Sequence, residues 1–439
     1  MGTGNVRPHR ERLVRWCAVL LALAAVATGC TGHGPARRDD LPGASPSPSA
    51  GACGQSLPCG VEAEWTTRRL ADGAQVSIGT VTVRPSARVT VRPVVGGHLA
   101  TTETVHRMAR RERAVAAVNG SFFDTADSPV FSGYPGDPLG VLVVDGRLLS
   151  EAANGRTALI LPPPGGRPRI DEVRSVMGLT APDGAARELD GVDRVPGRIV
   201  GCGGTGGDRS AATGLPEQRP RHNRLCLDES EIVAFTPDWG AHSPPGAPGS
   251  TEAVLDEGGR VTELRSPAGG EIPRTGSTLT GIGEGADWLR SHARQGLPVV
   301  RRTHVTDGSG RSILAPGGSV LGAGPALLRG GEPWINGVAN GFTGDTSSER
   351  QPRTVAAVKA DGTLLLTVFD GRSPASAGVT LREAAEVLRS LGARDAINLD
   401  GGGSTTMVVN GRLRNRPRSA QGAPVRERAV ADALAVVPR

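Results

Sequence analysis

The sequence predicts an α+β fold, one sheet-dominated domain with few helices, behind an export signal and a flexible tether. Three observations predict it. Turn signals recur between short apolar runs, only two stretches carry a clear helical period, and the segment after the first apolar stretch has almost nothing to bury.

Residues 1–29 read as a lipoprotein signal peptide. Arg7, Arg10, Arg12 and Arg15 make a basic start, and Trp16 to Thr28 is an apolar stretch too short to span a bilayer. It ends Val26-Ala27-Thr28-Gly29-Cys30, similar to the lipobox of bacterial lipoproteins, so cleavage before Cys30 and acylation of its thiol are expected. The expected location is the outer face of the cytoplasmic membrane, held by the lipid alone, or the medium if cleavage is ordinary. Residues 30–64 form a Pro/Ser/Gly-rich tether, and residues 65–439 form the folded domain.

The formal charge of +6 includes four arginines and one glutamate in residues 1–29, a net +3, so the mature chain carries about +3. That excludes the clustered basic face of a nucleic-acid binder. Cys17 leaves with the signal and Cys30 takes the lipid. The remaining Cys53, Cys59, Cys202 and Cys226 suggest disulfides Cys53–Cys59 and Cys202–Cys226, since neither pair has the two-residue spacing of a zinc knuckle.

Early strands show as alternation at Val76/Ile78, Val81/Val83 and Val89/Val91. Hairpin turns are expected at Asp145-Gly146, Glu257-Gly258, Gly330-Gly331, Asp361-Gly362 and Asn410-Gly411. The better helix runs from Leu381 to Leu391. Thr380 and Glu383 make its capping box, Leu381, Ala384, Ala385, Leu388 and Leu391 its apolar face, and Gly392 its stop. A second runs from about Thr102 to Arg113.

Each helix leads into a short apolar strand ending in polar residues and glycine. One strand, Ala114 to Val118, meets Asn119-Gly120-Ser121-Phe122-Phe123-Asp124. The other, Ala396 to Leu399, meets Asp400-Gly401-Gly402-Gly403-Ser404-Thr405. If the two strands are neighbours in one sheet, Asn119, Asp124, Asn398 and Asp400 converge on one edge. Leu364 to Phe369 is a third strand, ending in Asp370-Gly371-Arg372, and Arg353-Thr354 opens the run Val355 to Val358. A phosphate loop is excluded because no lysine follows the glycines, and a serine-hydrolase elbow because Gly402-Gly403-Ser404-Thr405-Thr406 lacks its last glycine. The eight histidines form no metal-binding spacing. No cofactor is expected to be required, and Asp124 with Asp127 are the weak hint of a structural calcium.

Together these blocks resemble the phosphodiester glycosidase family: A-V-A-A-V-N-G-S-F-F-D (114–124), Q-P-R-T-V-A-A-V (351–358), F-D-G-R (369–372), D-A-I-N-L-D-G-G-G-S-T-T-M-V-V-N-G (395–411) and E-R-A-V-A-D-A-L-A-V-V (427–437). The resemblance implies an extracytoplasmic hydrolase that cleaves the glycosidic C1–O bond of sugar-1-phosphodiesters of the GlcNAc-1-phosphodiester kind, with envelope or exopolysaccharide glycans as substrates. Asp400 is then the principal carboxylate, with Asp124 or Asp370 as acid/base partner. Arg353, with Arg372, is the expected phosphate fork, and Asn119 and Asn398 are expected to fix sugar hydroxyls. Gly120, Thr354, Gly401, Gly402, Gly403, Ser404 and Thr405 complete the expected substrate contacts. Two readings from other classes remain. A sugar-phosphate-binding lipoprotein would use aromatic platforms, and only 3% of residues are aromatic. A metal-dependent phosphodiesterase cleaving P–O would need histidine clusters.

Overall fold

The computed structural model describes residues 57–125, 136–203, 207–342 and 348–439. The signal peptide, Cys30, Cys53, Asp127 and the tether as far as residue 56 lie outside the described residues. The first strand, Val61–Arg69, begins four residues before the expected domain boundary, so residues 61–64 belong to the sheet and not to the tether.

Two sheets form the heart of the domain. One has seven strands, ordered Val61–Arg69, Gln75–Val83, Leu364–Phe369, Arg353–Lys359, Ala393–Asn398, Ala326–Arg329 and Glu332–Pro333. The other has five: Arg412–Leu413, Met407–Val409, Ala116–Asn119, Asp432–Pro438 and Val89–Val95. Val81, Ala356 and Ile397 of the first face Val118, Met407 and Leu434 of the second in one core. The next residues along the same strands point the other way. Val355, Ala357 and Ala396 meet Leu381, Ala384 and Leu388 of the helix Leu381–Ser390, while Ala117, Val408 and Ala433 meet Val105 and Met108 of the helix Val105–Arg111.

The result is four layers: helix, sheet, sheet, helix. Burial on both faces explains why Ala116 to Val118 and Val355 to Val358 read as continuous apolar runs without alternation. In Gln75–Val83 the alternation changes phase, and the strand divides accordingly. Val76 and Ile78 face the helix layer, Val81 and Val83 the core between the sheets.

All five expected hairpins form. Asp145/Gly146 and Asn410/Gly411 take positive φ at both turn positions, as tight hairpins with right-handed strand twist require. Thr380 and Glu383 make both capping-box bonds, with Leu391 as C-cap and Gly392 at φ 83°. The other expected helix is shorter than its pattern: Glu103–Thr104 pairs as strand and Thr104 is the N-cap. A third helix, Gly283–His292, was hidden by two glycines in its first turn. The remaining strands build further sheets, and the Cys202–Cys226 disulfide joins the residue two past the strand Arg198–Val200 to its partner strand Leu225–Leu227, Cα atoms 5.5 Å apart. Cys59 is also disulfide-bonded. Among the described residues, no helix is long and apolar enough to cross a membrane.

Candidate active site

The two glycine-tipped strands are not neighbours in one sheet, as the sequence reading required. Ala116–Asn119 lies in the five-stranded sheet and Ala393–Asn398 in the seven-stranded one. Their ends nevertheless meet across the seam between the sheets. The Asn119 amide Nδ2 donates to Asp400 O (2.7 Å), and its Oδ1 accepts from Thr354 Oγ1 (2.6 Å) and the Thr406 N–H (3.0 Å). The Asp400 N–H donates to Gly120 O at 3.0 Å.

Asn119 therefore acts here as a buried staple between the two strand ends. Asn398, 2% exposed, likewise donates to Gly324 O and Leu399 O. Both amides complete backbone hydrogen bonds that a strand end leaves open. Thr354, Ser404 and Thr405 are fully buried, Thr354 on Asn119 and Ser404 beside Asp400.

Asp400 keeps partial contact with solvent, and Gly401 N–H donates to its Oδ1 (2.8 Å). Burial pushes its carboxyl up to about 6, against the pull of the Ser404 hydroxyl and the Arg428 charge, while the nearby Asp432 carboxylate adds to the rise. Asp432, which sequence reasoning did not single out, is 1% exposed and accepts from both the N–H (2.9 Å) and the hydroxyl of Ser121. Burial pushes it up to about 6 as well, with Ser121 pulling the other way. Its signal was a lone acid in the apolar run Ala429 to Val437. Gly120 makes this arrangement possible: a Cβ there would stand 1.9 Å from Asp432 Oδ1. Gly402, at φ 58°, turns the loop beside Asp400, and Gly401 passes so close to Pro352 O that a Cβ would be 2.9 Å from it.

The other expected acids have partners. Asp124 pairs with Arg198 at 2.8 Å, and the Asp124 N–H meets Asp137 O across a strand pair. Asp370 accepts from Asn415 Nδ2 (3.2 Å) and Arg416 N–H (2.9 Å), and burial raises its carboxyl. Asn415 also donates to Thr405 O (2.9 Å), so Asp370 reaches the glycine loop through an intermediary. Arg353 is 6% exposed, with Nε on Val379 O (2.8 Å) and Nη2 on Glu349 O (3.0 Å). These bonds tie it to the backbone at Val379 and Glu349. Arg372, at φ 59°, binds Gln351 Oε1 and the carbonyls of Arg418 and Ser419.

Beyond Ser121 the chain enters a ring cluster. The Phe122 ring is edge-on to His222 (centroids 4.6 Å apart), which stacks on Phe342 (4.0 Å). Burial, then the charge of Arg156, pushes His222 down to about 3, so its imidazole is neutral. Among the described residues, no group of three or more His, Cys, Asp or Glu could hold a metal ion.

Residues 249–437 match the family model described as phosphodiester glycosidase. Over this stretch the chain is similar to that family. The stretch holds Arg353, Asp370, Arg372, Asp400, the glycine loop, Arg428 and Asp432; the Asn119 to Asp124 arm joins from outside the match. One stretch of 65 residues, 15% of this chain, is 45% identical to the N-acetylglucosamine-1-phosphodiester alpha-N-acetylglucosaminidase of Mus musculus and covers 12% of that protein. Another of 87 residues, 20% of this chain, is 37% identical to an uncharacterized SPbeta prophage-derived protein of Bacillus subtilis (strain 168) and covers 13% of it. The chain thus spans only about an eighth of each relative. The fold extends further: a candidate exported protein of Burkholderia pseudomallei K96243 superposes with a TM-score of 0.72 at 29% identity, covering 83% of this chain and 74% of that one.

Proposed function

We propose that the protein is an extracytoplasmic phosphodiester glycosidase, anchored through Cys30, that hydrolyses the C1–O bond of a sugar-1-phosphodiester of envelope or exopolysaccharide glycans. One observation carries the reading. Within the matched domain, the ends of two sheets hold Asp400, a residue in partial contact with solvent whose carboxyl burial pushes up to about 6, so that it is ionised at neutral pH yet poorly solvated. Such a carboxylate can stabilise or attack an oxocarbenium-like C1.

As C1–O breaks, the electron pair leaves on the phosphate oxygen. Water supplies the hydroxyl to C1, and its remaining proton goes to the phosphomonoester or to solvent. A phosphate leaving group has a conjugate acid near pKa 6, so it needs little protonation and gains most from a positive charge nearby. Asp124 is favoured over Asp370 as the partner carboxyl, because it follows Gly120 by four residues and pairs with Arg198. Asp370 instead holds the loop at Asn415 and Arg416.

The test is turnover of a GlcNAc-α-1-phosphodiester by wild type and by Asp400→Asn. Wild type should release free sugar and phosphomonoester, and the variant should lose at least about a thousandfold in kcat/KM. Saturable binding without turnover by wild type would replace this reading with a sugar-phosphate-binding protein.

A further inference from the structure

Arg194 and Arg156 are both almost fully buried, and their surroundings differ. Arg194, 6% exposed, is paired with Glu151 at 2.6 Å and with Glu231. Arg156, 3% exposed, meets no carboxylate among the described residues. It donates to Leu139 O, Asn340 O and His222 Nδ1, each at 3.4 Å, the long end of hydrogen bonding. Its guanidinium carbon lies 5.7 Å from the centroid of the Phe122 ring, and its Nε is buried with no partner among the described residues. Burial pushes the guanidinium down to about 10, so it is still charged at neutral pH. A buried cation held by neutral groups alone is unfavourable until an anion joins it.

His222 carries that charge towards a cleft. A guanidinium can only donate, so His222 Nδ1 accepts and the ring proton sits on Nε2, the nitrogen that Arg156 leaves for a ligand. The ring is fixed by its stack on Phe342 and by the edge of Phe122. With Gly341, Phe342 and the Cys202–Cys226 bridge it lines a cleft of about 740 Å³. A Cβ at Gly341 would stand 2.6 Å from Pro220 O and from Arg221 Cα, so the segment carrying His222 is seated directly on that glycine. Two arms join this corner to Asp400. Phe122 lies two residues beyond Gly120, whose carbonyl accepts the Asp400 N–H. On the other side, the Thr157 N–H donates to Asn340 Oδ1 at 2.9 Å and Thr157 O accepts the Ala323 N–H at 3.1 Å. The next residue, Gly324, donates its N–H to Asn398 O at 2.9 Å, two residues before Asp400.

We propose that Arg156 and His222 form an anion-binding pair at the base of this cleft, and that the anion is a phosphate group. Both residues lie outside the matched stretch 249–437. The pair presents donors only, which suits a ligand that is anionic and accepts through several oxygens. The imidazole Nε2–H donates to a phosphate oxygen, and the guanidinium behind it polarises that donor and supplies the charge. That the phosphate is the substrate's own rests on the phosphodiester reading above; the pair itself does not.

The experiment compares wild type, Arg156→Gln, His222→Phe and Arg221→Gln, with melting curves to confirm folding. Calorimetry reads the binding of inorganic phosphate, and hydrolysis of a GlcNAc-α-1-phosphodiester with and without inorganic phosphate reads the source of the anion. His222→Phe keeps a ring on Phe342 and removes the donor, so phosphate affinity should fall at least about tenfold in it and in Arg156→Gln. Arg221→Gln loses an exposed ion pair to Glu217 and should bind phosphate within about threefold of wild type. In His222→Phe the KM for the phosphodiester should rise at least about tenfold with kcat nearly unchanged, and phosphate should compete with the phosphodiester in wild type. No phosphate binding by wild type, unchanged affinity in folded His222→Phe or Arg156→Gln, or a loss in Arg221→Gln alone would overturn the pair. Binding through the pair without competition would make free phosphate the ligand, not the substrate. If wild type binds phosphate through the pair but turns over no phosphodiester, the hydrolase reading fails and the pair stands.

Discussion

Replacing Asp400 by Asn should stabilise the protein at neutral pH while abolishing its activity. The folded carboxyl holds its proton up to about 6, whereas the unfolded one releases it near 3.8. The native state is therefore favoured by this group fully below 3.8, and that advantage is lost as pH rises through about 6. A shift of about two pK units corresponds to on the order of 3 kcal/mol, and the partial solvent contact of the residue reduces it to roughly 2 kcal/mol. Asn would still accept the Gly401 N–H, so the local hydrogen bond survives. Asp432, whose carboxyl burial also pushes up to about 6, is present in both proteins, so the difference between them reports mainly on Asp400. Urea unfolding followed by tryptophan fluorescence at about pH 4 and about pH 7.5 should show the two proteins level in acid and the variant more stable at neutral pH by about 2 kcal/mol. A variant less stable at neutral pH would refute the reasoning. It would mean that Ser404 and Arg428 more than compensate for burial, and that the site stabilises the charge it is said to hold at a cost.

Other outcomes follow from the same geometry. Gly120→Ala drives a Cβ into Asp432 Oδ1, which Ser121 holds in place, so unfolding free energy should fall by about 3 kcal/mol; an unchanged melting temperature would show that Asp432 moves freely. Cys202→Ser with Cys226→Ser opens a loop of sequence separation 24 and should lower the urea midpoint by the equivalent of roughly 3 kcal/mol, unless the reduced chain keeps this loop ordered. His222, pushed down to about 3, should show no imidazole titration by NMR between about pH 5 and 8, and a midpoint inside that range would contradict its burial against Phe342. Thr380→Ala removes half of a capping box and should cost about 1 kcal/mol in the same unfolding assay.

Local chemistry was legible in the sequence. The capping box at Thr380 and Glu383 and the five glycine-containing turns each specify their conformation within a few residues, and each forms as its pattern requires. Non-local chemistry was less so. Ala116–Asn119 and Ala393–Asn398 carry the same pattern, which says that each strand ends in polar residues but not that the strands lie in separate sheets. The bonds that Asn119, Asn398 and Arg353 make to the backbone were hidden for a related reason. A polar side chain at a strand end serves either a ligand or the open backbone groups around it, and only the packed structure shows which. Asp432 and Arg428 sit in the block 427–437, and they stood out only once Asp432 was seen to accept from Ser121 and Arg428 to lie over Phe123.

The central claim is cleavage at C1–O by way of Asp400, and hydrolysis of a GlcNAc-α-1-phosphodiester in oxygen-18 water tests it most directly. The account predicts label in the sugar hemiacetal when the first-formed product is analysed before anomeric exchange, and no labelled sugar from Asp400→Asn. Label in the phosphomonoester would place the cut at P–O and contradict it.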